Sequence, residues 1–326
     1  MCAALMLCAL LWVHASLSII AVCLLLEAAV FPFTFYRNFV LERRYELSVE
    51  TYRTWLLDYA KGLGLSLGTG AGSIYVMYAF IRWDAQWWWL PMAAVAAAVV
   101  LFTAKLAPFL LRMFYKFTPL NRASLVERLT ILSARAGTPV LGVYEWGLGE
   151  KSRRANALLV GSGATRRILL SDTLLADYSD DEIEVILAHE MAHHVHHDIA
   201  RGLALEMMLL LASAYSSAVA LDLLWQPLGL ASPSDIAGLP LLLLVGGLAM
   251  IAARPLANAY ARSTERRADR FALNLTSQHP AFVSAMRRLA LQNLAEETPS
   301  RLTVLLFHTH PPVDERIDAA RVAPVG

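Results

Sequence analysis

The stretch Ser-Asp-Asp-Glu-Ile-Glu-Val-Ile-Leu-Ala-His-Glu-Met-Ala-His-His-Val-His-His, residues 179–197, decides how the rest of the chain is read. It begins as a helix should. Ser179 precedes Glu182 at capping-box spacing, and Asp180, Asp181 and Glu182 set negative charge at the positive end of the helix dipole. Ile183, Ile186 and Leu187 carry the helix on toward the histidines. There His189 and His193 stand at i and i+4, one above the other on a single face. Two imidazoles so placed can reach one Zn²⁺ at about 2.0–2.1 Å. Glu190, one position along, is offset enough not to ligate. It is still close enough to take a proton from a water at the metal, an arrangement suited to hydrolysis.

A catalytic zinc needs a third protein ligand, and this helix does not supply one. His194 points to a different side. His196 and His197 lie about 10–12 Å beyond His189 along the axis, at 1.5 Å per residue. The longer histidine pattern needs Gly at 196 and His at 199, where this chain has His196 and Ile199. The third ligand is therefore expected on another element. Ser-Thr-Glu-Arg-Arg-Ala-Asp, residues 263–269, offers Glu265 and Asp269 at helical i, i+4 spacing. Glu265 would complete a His₂Glu set with one open position. Asp269 would accept the second ring N–H of a ligand histidine and fix its tautomer. Spacing leaves a plainer alternative equally open, an exposed Glu265 paired with Arg262 or Arg266.

Around the helix lies a very apolar chain. Of its 326 residues 57% are hydrophobic and only 17% charged, where soluble domains carry about a quarter charged. The excess needs a lipid explanation. A spanning helix takes about 20 mostly apolar residues, and five stretches qualify: residues 3–33, 62–81, 88–111, 203–225 and 239–257. A secretory signal fits the first less well, because it lacks a basic start, is too long and has no clear cleavage site. The expected fold class is mainly α and integral membrane, with about five transmembrane helices. A cytosolic α+β zincin-type catalytic domain is split by a transmembrane hairpin.

The expected organisation is a membrane region over 1–113 with three spans, then the first half of the catalytic domain over 114–200. The hairpin covers 201–257, and the second half of the domain, with the third ligand, covers 258–326. Within 114–200, residues 120–135 read as a helix stopped by Gly137, Thr138 and Pro139. Runs 156–161 and 166–171 flank Ser162, Gly163 and Ala164 as a hairpin.

Arg37, Arg43, Arg44, Arg53 and Lys61 follow the first apolar stretch, while residues 226–238 hold neither Lys nor Arg. The positive-inside rule then places the N-terminus outside. Residues 34–61, 114–200 and the C-terminal tail face the cytosol. Net charge is +1, so no global attraction to nucleic acid is implied. The expected partners are a polypeptide substrate and the lipid bilayer; the oligomeric state is not legible. Trp87, Trp88 and Trp89 read as an interface belt. Cys2, Cys8 and Cys23 read as packing or lipid-facing residues rather than a disulfide framework.

Shorter pieces add to the pattern: Thr54-Trp55-Leu56-Leu57-Asp58, Lys116-Phe117-Thr118-Pro119-Leu120, Arg153-Arg154-Ala155-Asn156-Ala157, and Ile168 through Leu175. The zinc motif, Glu265 with Ala268-Asp269, and His310-Pro311-Pro312 with Glu315-Arg316 complete it. In this order the chain resembles the CAAX prenyl protease 1 family of membrane zinc metallopeptidases in its bacterial form, from about Glu42 to Arg316. The five apolar stretches are fewer than that family's seven spans.

The resemblance implies one zinc ion per chain on His189, His193 and Glu265, with Glu190 as general base and Asp269 supporting a ligand. It also implies that Asn156, His310 and Arg316 line the cleft, Asn156 and Arg316 on the substrate side. His310 would stabilise the oxyanion, with His308 as its substitute; the plainer reading of His310 is a turn residue before Pro311. The strand at 156–161 would pair with an extended substrate.

The expected activity is endopeptidase hydrolysis of membrane-associated or misfolded polypeptides at the cytosolic face of a bacterial inner membrane. The composition reads as bacterial, so prenylated CAAX substrates are not carried over. Two other readings compete. A zinc transporter or sensor would use His189–His197 and need ionisable residues aligned in the spans, but Glu27, Lys105, Glu206 and Asp222 are scattered. An inactive scaffold has no need of Glu190.

Overall fold

A backbone in lipid must satisfy its own hydrogen bonds, so long apolar runs close into helices. The computed structural model describes residues 2–161, 163–296 and 299–322; the side chains of 2–18, 104, 107, 108, 112 and 164 lie outside the description. The reading of Cys2 and Cys8 falls there, while Cys23 is a half-buried free thiol. Helix α1 (Cys2–Phe35) passes through a π-helical turn, Tyr36–Leu41, into the short α2 (Glu42–Arg44). Helices α3 (Tyr52–Trp83) and α4 (Trp89–Phe114) come next.

The chain then runs β1 (Phe117–Pro119), α5 (Ala123–Arg135), β2 (Val143–Trp146), β3 (Ala157–Val160), β4 (Arg167–Ser171), α6 (Asp172–Asp177) and α7 (Asp180–Val195). Two long helices, α8 (Asp198–Leu224) and α9 (Leu239–Thr276), precede α10 (His279–Gln292), α11 (Arg301–Phe307) and α12 (Val313–Val322). All five apolar stretches of the sequence fall on helices. Among the described residues, four helices are long and apolar enough to cross a membrane, and Trp89–Thr103 is a shorter apolar helix.

The chain divides into two compact units. One holds Met1–Tyr45, Thr51–Val100 and Met207–Ala252. Its small core joins Tyr78, Ile81, Trp88, Leu221 and Leu242. Trp88 is therefore buried while Trp87 is exposed, so the three tryptophans do not act as one belt. Close helix contact here rests on small residues, as in lipid where apolar burial gives no drive. Ser213 and Ser217 hydroxyls donate to the carbonyls of Gly246 (3.1 Å) and Leu242 (3.0 Å). A Cβ on Gly246 would meet both hydroxyl oxygens at 3.0 Å.

The other unit holds Glu46–Glu50, Leu101–Glu206 and Ala253–Gly326. Its sheet has the order β1-β2-β4-β3, with β2 and β4 parallel and the other pairs antiparallel. The hairpin read from the sequence is β3–β4, pairing Ala157 with Leu170 and Val160 with Arg167. Gly161 (φ +91°) turns it; a Cβ there would lie 2.6 Å from the Thr165 carbonyl oxygen, so no other residue fits. Strands β1 and β2 escape sequence reading because three- and four-residue strands are too short to show alternation.

The core packs one face of this sheet, through Val143, Ala157, Leu159, Ile168 and Leu170, with α5, α7, α10 and α12. Helix α7 opens with the expected capping box: Ser179 Oγ accepts from Glu182 N (3.3 Å) and Glu182 Oε2 accepts from Ser179 N (2.8 Å). Glu182 Oε1 also accepts from Ser284 Oγ at 2.6 Å, tying α7 to α10.

Candidate metal centre

Helix α7 is buried on nearly every side from Glu182 to His189, so its histidines are held by packing on all sides rather than waving in water. His189 is 8% exposed. The site is completed by α9, which brings in Glu265, also 8% exposed. Glu265 Oε2 lies 3.3 Å from His189 Nε2, and its Oε1 lies 3.4 Å from His193 Nε2. Donor atoms of all three residues lie within 4.8 Å of one another. Tetrahedral ligands at about 2.0–2.2 Å from a metal are themselves about 3.4 Å apart, so these separations fit one ion. Glu265 Oε2 is buried with no hydrogen-bond partner. A buried lone pair of that kind needs a positive charge or a donor.

Both rings are oriented for the task. His189 Nδ1 donates to Asp269 Oδ1 (2.9 Å), and His193 Nδ1 donates to Asp198 Oδ2 (3.1 Å). With a proton on each Nδ1, each Nε2 keeps its lone pair toward Glu265. Each aspartate is held in turn by an arginine. Arg316 donates to Asp269 through Nε (2.8 Å) and Nη2 (2.5 Å), and Arg267 donates to Asp198. Burial works against charge on His189, yet its bond to Asp269 and the nearby Glu265 carboxylate hold its pKa up at about 9. Burial also opposes charge on His193, and Glu265 and Asp198 raise it all the same. Glu190 lies beside these rings, and burial pushes its carboxyl pKa up. A raised carboxylate accepts and releases protons nearer neutral pH.

The plainer reading of Glu265 does not hold. Arg266 pairs with Glu315 (2.5 Å), and Arg262 donates to the carbonyls of Val304 (2.8 Å) and His308 (2.7 Å). His310 reaches the cluster from the segment between α11 and α12, its Nε2 3.4 Å from Glu265 Oε2. Thr309 Oγ1 sits 3.0 Å from its other ring nitrogen. Arg316, expected on the substrate side, has a side chain 11% exposed that pairs with Asp269. Asn156 is exposed at the head of β3. Its backbone is tied to Ser171, and among the described residues no bond joins its side chain to the three metal-site residues.

The remaining histidines divide as spacing suggested. His194 Nε2 lies 2.8 Å from the Leu159 carbonyl oxygen, and His196 packs edge-on against Phe271. Because Asn156 O accepts from Ser171 N, alternation along the ladder turns the polar groups of Ala157 and Leu159 to the outer edge of β3. His194 takes one of them, the Leu159 carbonyl. Sequence reading missed Asp198 and Arg267. The available signal was an acid directly after the His-rich run, at the start of the next helix.

The sequence matches Peptidase family M48 over residues 119–323. It matches the family described as CAAX prenyl protease N-terminal, five membrane helices, over residues 9–116; here three long helices, α1, α3 and α4, occupy that region. A Bacillus subtilis protein described as an uncharacterized metalloprotease, YhfN, is 31% identical over 85% of this chain and 66% of its own length. CAAX prenyl protease 1 of Saccharomyces cerevisiae is 31% identical over 50% of this chain and 36% of its own. The chain thus spans about two thirds of the first relative and about a third of the second. The crystal structure of S. mikatae Ste24p superposes with TM-score 0.84 over 94% of this chain and 76% of that one, at 22% identity. That likeness is one of fold.

Proposed function

Because the chain belongs to peptidase family M48, we propose that it is a membrane-embedded zinc endopeptidase. The observation that carries this is the convergence of His189, His193 and Glu265, with the unsatisfied buried Glu265 oxygen at its centre. Two neutral imidazoles and a carboxylate suit zinc and leave one position open. A zinc ion held there supplies Lewis acidity, lowering the pKa of a water to about 7 and polarising a carbonyl. Glu190 takes the proton of the attacking water and delivers it to the leaving amine. Its raised pKa, caused by burial, makes that return transfer easier. His310 donates to the carbonyl oxygen as it gains charge. Asp269 and Asp198 hold the two ligand rings in the required tautomer.

Substrate lies extended along the outer edge of β3, where backbone groups of Ala157 and Leu159 pair with it and exposed Asn156 meets a neighbouring residue. The catalytic domain is assembled from residues 114–200 and 258–326, which the apolar hairpin 201–257 separates in sequence, and by the positive-inside rule it faces the cytosol of a bacterial inner membrane. Substrates are membrane-associated or misfolded polypeptides. The name of the yeast relative points to prenylated CAAX ends; peptide-bond hydrolysis is carried over here and that substrate is not.

The test uses detergent-purified protein with casein, a fluorogenic peptide and a prenylated CAAX peptide, alongside metal analysis. One zinc per chain is expected. Glu190→Gln should keep the metal and lose about 10²–10⁴ in kcat. Cleavage that survives Glu190→Gln, or protein that never takes up stoichiometric zinc, would sink the reading.

A further inference from the structure

Four residues of α9, Asn258, Arg262, Glu265 and Asp269, stand at i, i+4, i+7 and i+11 and so share one face of the helix. All four are buried, between 6% and 8% exposed. Glu265 and Asp269 belong to the metal centre. The other two reach the segment that carries His310. Arg262 Nη1 donates to the carbonyls of Val304 (2.8 Å) and His308 (2.7 Å), and Asn258 Nδ2 donates to that of Leu306 (2.7 Å).

Helix α11 ends at Phe307, and its last carbonyls have no partners within the helix. Asn258 supplies a donor for that of Leu306, while Arg262 adds a donor to the Val304 carbonyl, which also accepts from His308 N (3.3 Å), and holds the carbonyl of His308 itself. Beyond His310 the backbone is stiffened by Pro311 and Pro312. Helix α12 then starts at Val313, and its Arg316 is fixed to Asp269. The segment 308–312 is therefore gripped at both ends by the same face of α9, with Glu265 between the grips. A buried guanidinium bonded to neutral carbonyls is a costly way to cap a seven-residue helix. That cost is understandable if the placement of His310, three residues past the helix end, matters.

We propose that Arg262 and Asn258 are positioning residues that set the reach of His310 to the metal centre, without touching substrate or metal. This rests on the oxyanion role proposed for His310. An arginine is suited to the work because a single terminal nitrogen, Nη1, held in a rigid planar group, donates to two carbonyls four residues apart in sequence. Small displacements matter, since an error near 1 Å at a reacting group can cost about 100-fold in rate.

The experiment compares full-length protein in detergent with Arg262→Met, Arg262→Lys and Asn258→Ala, each alone and combined with His310→Ala. Arg262→Met should lower kcat about 10- to 100-fold with KM within about twofold and zinc retained, and Arg262→Lys should recover part of the loss. In the His310→Ala background Arg262→Met should cost no more than about twofold, because the residue it positions is gone. Hydrogen exchange over residues 304–310 should quicken in Arg262→Met and Asn258→Ala, with α7 unchanged. Equal losses in both backgrounds, or unchanged exchange over 304–310 in both variants, would overturn the proposal. If His310→Ala turns over like the unaltered protein, the oxyanion role fails instead, and the exchange result alone decides the anchoring. Should Arg262→Met not fold, Asn258→Ala carries the same comparison.

Discussion

The metal centre contains the same arrangement twice, imidazole to aspartate to arginine, built in two different ways. Behind His189 stand Asp269 on α9 and Arg316 on α12, far away in sequence. Behind His193 stands Asp198, at the start of the next helix and held by Arg267. The first is sealed, with Arg316 11% exposed; the second opens to water, with Arg267 32% exposed. The difference teaches where rigidity comes from. A local turn is enough to bring the aspartate to His193, with Arg267 of α9 behind it, whereas His189 gains its aspartate only when α9 docks and the arginine only when α12 does.

The largest test of that contrast is Asp269→Asn against Asp198→Asn. Asp269→Asn leaves one neutral acceptor oxygen for His189 and Arg316 to compete for, and removes the counter-charge of a buried guanidinium. Zinc affinity should fall about 10- to 100-fold, and stability should drop by about 3–5 kcal/mol from the unpaired Arg316. Asp198→Asn should weaken zinc by about tenfold or less, with a much smaller fall in melting temperature, because Arg267 can turn to water. Chelator competition and thermal melting of both variants would decide it; equal effects would break the contrast.

A smaller effect separates the two sites by pH. In the metal-free fold the His189 pKa is raised, to about 9, above its ordinary 6.5. The stabilisation from its proton is thus fully present below about pH 6.5 and lost as pH rises through 9. Zinc must displace that proton, so zinc affinity should climb from pH 6.5 to 9, by up to about tenfold per pH unit for this proton. Asp269→Asn removes the chief support of that raised pKa and should flatten the slope more than Asp198→Asn does. A slope indifferent to Asp269 would refute the assignment.

The smallest effect concerns the turn that makes the local version possible. His197 has φ +55°, a left-handed conformation that sends the chain from α7 into α8 and sets Asp198 beside His193. Glycine tolerates that conformation without the Cβ clash. His197→Gly should leave zinc affinity within about twofold and stabilise by at most about 1 kcal/mol. A large loss of zinc would show that the His197 side chain itself has a role.

Much of this was legible in the residues. The capping box at Ser179, the histidine pair on one face of α7, the β3–β4 hairpin and the five apolar helices all come from spacing of a few residues, which local backbone geometry enforces. Strands β1 and β2 were not legible because they are too short to repeat, and their pairing is with distant segments. Arg316 was expected at the substrate; its commitment to Asp269 depends on how α12 docks on α9, which no spacing within either helix reveals.

By itself the sequence determined which side chains can bind a metal, since i and i+4 on a helix share a face whatever surrounds them. It also determined which segments need lipid, since apolar length alone sets that requirement. Only the tertiary structure decided that Glu265 faces the two histidines rather than an arginine, and that His310 arrives within reach of it. The same holds for Asp269 behind His189. Those pairings close across tens of residues, and their geometry exists only once the helices have packed.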